Sequence, residues 1–65
     1  MFFTIIKSQN SPRYYIYNSE GIKLALVTSL DLCLKYFYEW CVKLACKSVT
    51  FTPTKDHDVI LVNMD

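Results

Sequence analysis

Thr28-Ser29-Leu30-Asp31-Leu32-Cys33-Leu34-Lys35-Tyr36-Phe37-Tyr38-Glu39-Trp40-Cys41-Val42-Lys43-Leu44-Ala45-Cys46-Lys47 is the stretch that decides the fold, because it alone carries a sustained helical period. Its polar residues Asp31, Lys35, Glu39, Lys43 and Lys47 recur at every fourth position and form one narrow stripe with opposite charges as i,i+4 neighbours. Acid leads and base ends, the order the helix dipole favours. At roughly 100° per residue the opposite side holds Leu30, Cys33, Leu34, Phe37, Cys41 and Leu44, the pattern of a core-facing helix. Tyr36 and Trp40 fall on one shoulder, Tyr38 and Val42 on the other. Thr28, with Asp31 three residues later, reads as an acidic capping box that starts the helix near Ser29.

Upstream of this helix the pattern is that of strands. Residues 2 to 7 are Phe, Thr, Ile and Lys, types that suit a pleated surface, and they end in the turn formers Ser8-Gln9-Asn10-Ser11-Pro12. Arg13-Tyr14-Tyr15-Ile16-Tyr17 and Ile22-Lys23-Leu24-Ala25-Leu26-Val27 flank Asn18-Ser19-Glu20-Gly21, where the chain's one glycine sits at the position of a bulged hairpin turn that needs a positive φ. Downstream, Ser48-Val49-Thr50-Phe51-Thr52 alternates strictly, Pro53 can stop that strand, and Val59-Ile60-Leu61-Val62 follows a polar turn. The order is β-ββ-α-ββ in a single domain spanning residues 1–65. It predicts an α+β fold with one amphipathic helix on one face of a mostly antiparallel sheet of four to five strands.

The 65 residues are 52% hydrophobic and 20% charged, with seven Lys plus Arg against six Asp plus Glu. That balance excludes a disordered polar tail and a basic nucleic-acid footprint alike. Three cysteines, an odd number within the predicted helix, read as free thiols in a reducing compartment, so a cytoplasmic protein is expected. Of the three, Cys46 lies off the core stripe and is the thiol expected to be accessible. The N-terminal residues do not read as a signal peptide, and Asp31, Lys35, Glu39 and Lys43 interrupt the longest apolar run, so no membrane association is expected.

Chemistry is hard to place in this chain. A single glycine leaves no phosphate loop, and neither a nucleophile elbow nor a zincin motif occurs. Cys33, Cys41, Cys46 and His57 do not have zinc-site spacing, and His57 between Asp56 and Asp58 reads as a solvated turn. No enzyme, metal site or cofactor is expected.

Several strands, by contrast, are apolar on both faces. Phe3 and Ile5 oppose Phe2, Thr4 and Ile6; Tyr14 and Ile16 oppose Tyr15 and Tyr17; Val59 and Leu61 oppose Ile60 and Val62. One helix covers one face, and either set can be the covered one, so an apolar, aromatic surface is expected to remain exposed and to bind a partner. The residue types that anchor interfaces single out Arg13, Tyr14, Tyr15, Tyr17, Tyr36 and Trp40. The function expected is that of a non-catalytic module docking onto a larger protein or complex. By class-level analogy it would be a phage- or mobile-element-encoded inhibitor of host machinery such as a nuclease, a CRISPR complex or a polymerase. Two alternatives are a single-stranded nucleic-acid binder using Arg13, Tyr14, Tyr15, Tyr17 and Lys23, and a homodimer that pairs through the far sheet face or extends the sheet at an edge strand.

Overall fold

The protein is described by a computed structural model covering all residues from Met1 to Asp65. Its elements are β1 (Phe2–Lys7), β2 (Tyr14–Asn18), β3 (Lys23–Val27), α1 (Leu30–Lys43), β4 (Val49–Pro53) and β5 (Val59–Met64). The five strands form one sheet in the order β3-β2-β1-β5-β4, and every neighbouring pair is antiparallel. Strands β4 and β5, which the sequence leaves unassigned to each other, are partners.

Local chemistry accounts for both hairpins. Asn18 Oδ1 accepts the N–H groups of Glu20 and Ile22, both at 2.9 Å, while Gly21 takes φ +82° and donates to the Asn18 carbonyl at 3.1 Å. This is the bulged turn read from the sequence. At the other hairpin the Thr54 hydroxyl donates towards the carbonyls of Asp56 and Val59 and accepts the Asp56 N–H, folding the polar residues after Pro53 into a tight loop.

The helix starts one residue later than the Thr28–Asp31 box implies. Ser29 is the N-cap, with φ −152° and its hydroxyl accepting the Leu32 N–H at 3.3 Å. Both candidates are good caps, and the extended backbone at Ser29 decides between them. The helix ends at Lys43, earlier than its charge stripe, because Ala45 adopts φ +54°. Cys46 then donates to the Cys41 carbonyl at 2.9 Å and Ala45 to the Val42 carbonyl at 3.2 Å, the two bonds of a Schellman motif. Lys47 therefore lies outside the helix. The left-handed position of this motif favours glycine, and the Ala45 side chain is exposed. Ala45→Gly is expected to stabilise the protein by about 0.5–1 kcal/mol, read as a higher urea midpoint at unchanged slope.

Because α1 lies in the connection from the edge strand β3 to the opposite edge strand β4, that connection passes over the whole sheet. The core lies between them: Ile5, Ile16, Val27, Val62 and Met64 from the sheet, Cys33 and Phe37 from the helix, with Phe3, Tyr14, Phe51 and Ile60 among the half-buried residues around it. The covered face is thus the Phe3/Ile5, Tyr14/Ile16 and Ile60/Val62 set. Phe37 is the keystone, with Phe3, Trp40 and Phe51 packed edge-on at centroid distances of 5.3, 5.2 and 5.9 Å. The core stripe of α1 departs from its sequence reading at Leu34, which is half-buried outside the core cluster, and in two further places. Leu44 is exposed because it follows the last helical turn, and Trp40 turns inward against Phe37 and Phe3.

Candidate functional site

Register rather than sequence distance shows what the uncovered face of the sheet presents. Leu26 pairs with Tyr15, Tyr15 with Ile6 and Ile6 with Val59, so one apolar row crosses β3, β2, β1 and β5. The next row holds Lys23, Tyr17, Thr4, Leu61 and Thr52, and a third holds Phe2, Asn63 and Thr50. No element of the chain lies over these rows. A shallow groove of about 360 Å³ runs beside Phe2, Thr4, Thr50, Thr52, Leu61 and Asn63, with Phe2 66% exposed at its mouth.

The tyrosines singled out in the sequence divide between the two faces. Tyr15 and Tyr17 stand on the open face with ring centroids 6.5 Å apart, and the Lys23 ammonium sits 4.9 Å from the Tyr15 ring. Arg13, just before β2, falls on the same side by strand alternation. Tyr14 points the other way and packs against the core beneath the helix. A platform of three tyrosines does not exist, and two remain.

Tyr36 and Trp40 stack on each other at 6.3 Å on the helix side, separated from Tyr15 and Tyr17 by the sheet itself. Trp40 is half-buried and serves the core, whereas Tyr36 is exposed. Beside them Phe3, Leu24, Trp40, Lys43 and Leu44 line a second open groove of about 440 Å³. Leu24 reaches this groove through a β-bulge. Ile16 pairs with Ala25 and Tyr17 with Lys23, which leaves Leu24 as the extra residue, on the helix side, while Leu26 stays on the open face. The six residues Arg13, Tyr14, Tyr15, Tyr17, Tyr36 and Trp40 therefore form no single site. The residues singled out for binding do not include Leu26, Ile6, Val59 and Leu61. The last three enter the sequence reading only as strand positions that either face could expose, through the lack of polar alternation, and Leu26 enters it only as a hairpin residue.

The three cysteines are free. Burial pushes the Cys33 thiol up to about 11, so it is protonated and inert at neutral pH. Cys46, expected to be accessible, is half-buried against the core, and its carbonyl accepts from the Cys41 thiol at 3.3 Å. The turn after the helix folds Cys46 back under its last residues. No group of three or more His, Cys, Asp or Glu side chains converges, and no helix is long and apolar enough to cross a membrane. No protein-family model matches the chain, and no curated protein or solved structure matches it either.

Proposed function

We propose that the protein is a non-catalytic binding module that docks its open sheet face onto another protein. The observation that carries this reading is the row Leu26, Tyr15, Ile6 and Val59, held in register across four strands with no second layer above it. Phe2 and Leu61 extend the same surface and are largely exposed. The charged groups that flank the tyrosines, Arg13 and Lys23, are both basic, which favours a partner with an apolar centre and carboxylates at its rim. Binding would act by occupancy, covering a surface the partner uses elsewhere, as an inhibitor of a larger assembly does. A cytoplasmic setting accords with the free thiols.

Arg13, Tyr15, Tyr17 and Lys23 on one face also favour a second reading, single-stranded nucleic acid stacked on the two tyrosines. A net charge of +1 and the aliphatic rows around them weigh towards protein.

The test uses the wild-type chain, a Tyr15→Ala/Leu61→Ala variant and a Tyr36→Ala variant. Each captures partners from lysate, and the recovered protein is then purified and titrated. Docking on the open face predicts a stoichiometric complex weakened at least about tenfold by the double variant and unaffected by Tyr36→Ala. Nuclease-sensitive capture, together with binding of a mixed-sequence oligonucleotide that Tyr15→Ala weakens, would replace protein by nucleic acid. Loss with Tyr36→Ala alone would move the site to the helix side.

A further inference from the structure

We infer that β3 is a dimerisation edge, along which two copies of the chain pair antiparallel about a two-fold axis at Leu26 to make one ten-stranded sheet. This goes beyond the docking reading and does not require it.

The backbone ladder supplies the first argument. Ser8 donates to the Arg13 carbonyl at 2.9 Å, and Asn18 donates to the Ile22 carbonyl at 3.0 Å. In an antiparallel ladder such bonds alternate along the strand, so Arg13, Tyr15 and Tyr17 serve β1 while Tyr14, Ile16 and Asn18 serve β3. Tyr15, the register partner of Leu26, therefore uses its backbone on Ile6. The N–H and C=O of Leu26 point out of the sheet, ready for another strand.

Side chains supply the second argument. Ile22, Leu24, Leu26, Leu32, Tyr36 and Leu44 are all exposed large apolar residues, and all lie on β3, on its turn or on the helix end and flank above it. Leu32 shares that flank with Tyr36, four residues on, and Tyr36 stacks on the Trp40 that lines the groove beside Leu24. The opposite edge is built differently. There the helix also exposes Tyr38, against Phe51, but β4 itself presents Thr50, Thr52 and Pro53, and the proline has no N–H to offer.

Two unlike edges also set the symmetry. Pairing β3 with β4 of the next copy would propagate into a filament, whereas pairing β3 with itself closes. Centring on Leu26 places Leu26 against Leu26 and Ala25 against Val27, so helix-side residues meet helix-side residues. Centring on Ala25 would set Leu24, on the helix side, against Leu26, on the open face, and would need backbone groups already bonded to β2. The Leu26 axis joins each copy's row of Leu26, Tyr15, Ile6 and Val59 to its mate, carrying one apolar row across eight strands.

Sedimentation equilibrium from about 1 μM to about 1 mM, the range in which a small edge interface dissociates, tests this on the full chain. The wild type is expected to dimerise. Leu26→Pro removes the outward N–H and the leucine side chain without removing a bond to β2, and Leu26→Lys keeps the N–H but sets a charge on the edge; each is expected to raise the dissociation constant at least tenfold with an unchanged circular dichroism spectrum. If Leu26→Pro misfolds, Leu26→Lys decides. Leu61→Lys, on the open face but away from the edge, is expected to leave the dimer intact. A wild type that stays monomeric throughout, or a dimer indifferent to both Leu26 variants, overturns the proposal. Loss of the dimer with Leu61→Lys alone overturns it as well, in favour of two open faces packed together. Failure of the docking experiment leaves all these outcomes unchanged.

Discussion

Phe37→Ala is expected to abolish the fold. The ring is fully buried, receives Phe3, Trp40 and Phe51 edge-on, and joins the centre of the helix to β1 and β4. Removing a buried phenyl ring costs about 3–5 kcal/mol through lost burial and the cavity left behind. A domain of this length holds roughly 3–10 kcal/mol in total, so the variant should be largely unfolded at 25 °C or retain a much lower denaturant midpoint. Thermal and urea unfolding followed by near-ultraviolet circular dichroism would show the loss directly. Tyr36→Ala, one residue away, is the control, because its ring is exposed and its removal should change stability by less than about 1 kcal/mol. Equal costs for the two would mean that the helix is rotated from the orientation described. Trp40 belongs with Phe37 in this comparison, since its ring leans on both Phe37 and Phe3.

Ile5→Ala and Ile6→Ala should differ sharply although the residues are adjacent and chemically identical. Ile5 is 1% exposed between Ile16 on β2 and Ile60 on β5, on the face the helix covers. Truncating it is expected to cost about 2–5 kcal/mol. Ile6 lies on the open face between Tyr15 and Val59, half-buried only by its neighbours in the sheet, and should cost about 1 kcal/mol. The proposed docking function would reverse the ranking, because Ile6→Ala removes surface from the docking row while leaving a folded protein. Paired urea denaturation and partner titration of the two variants would check both halves. Similar stabilities for the two variants would show that the open face is covered in solution.

Much of this arrangement was legible in the residues alone. The four-residue period of Asp31, Lys35, Glu39 and Lys43 names one helix and its solvent side, and Gly21 after Asn18 names one hairpin, since each signal is local and unambiguous. Strands with apolar residues on both sides imply an exposed apolar surface, and the exposed Phe2, Leu26 and Leu61 supply one, but which set is covered depends on how the helix lands. That is why Tyr14 separates from Tyr15 and Tyr17, and why Trp40 turns inward from the shoulder its spacing implies. Leu24 and Leu26 show the same limit. Their spacing suits one face, yet the bulge opposite Ile16 and Tyr17 sends them to opposite faces, and a single extra residue has no signature in composition.

Sequence by itself determined the element types, their order and the presence of surplus apolar surface, because these follow from short-range backbone preference and from counting apolar positions on each face. Only the tertiary structure decided the rest: the order β3-β2-β1-β5-β4, the Phe3/Ile5 face as core, the row from Leu26 to Val59, and the outward backbone of Leu26 on a free edge. These properties arise between strands far apart in the chain, where register and helix placement are set by how all the elements pack at once.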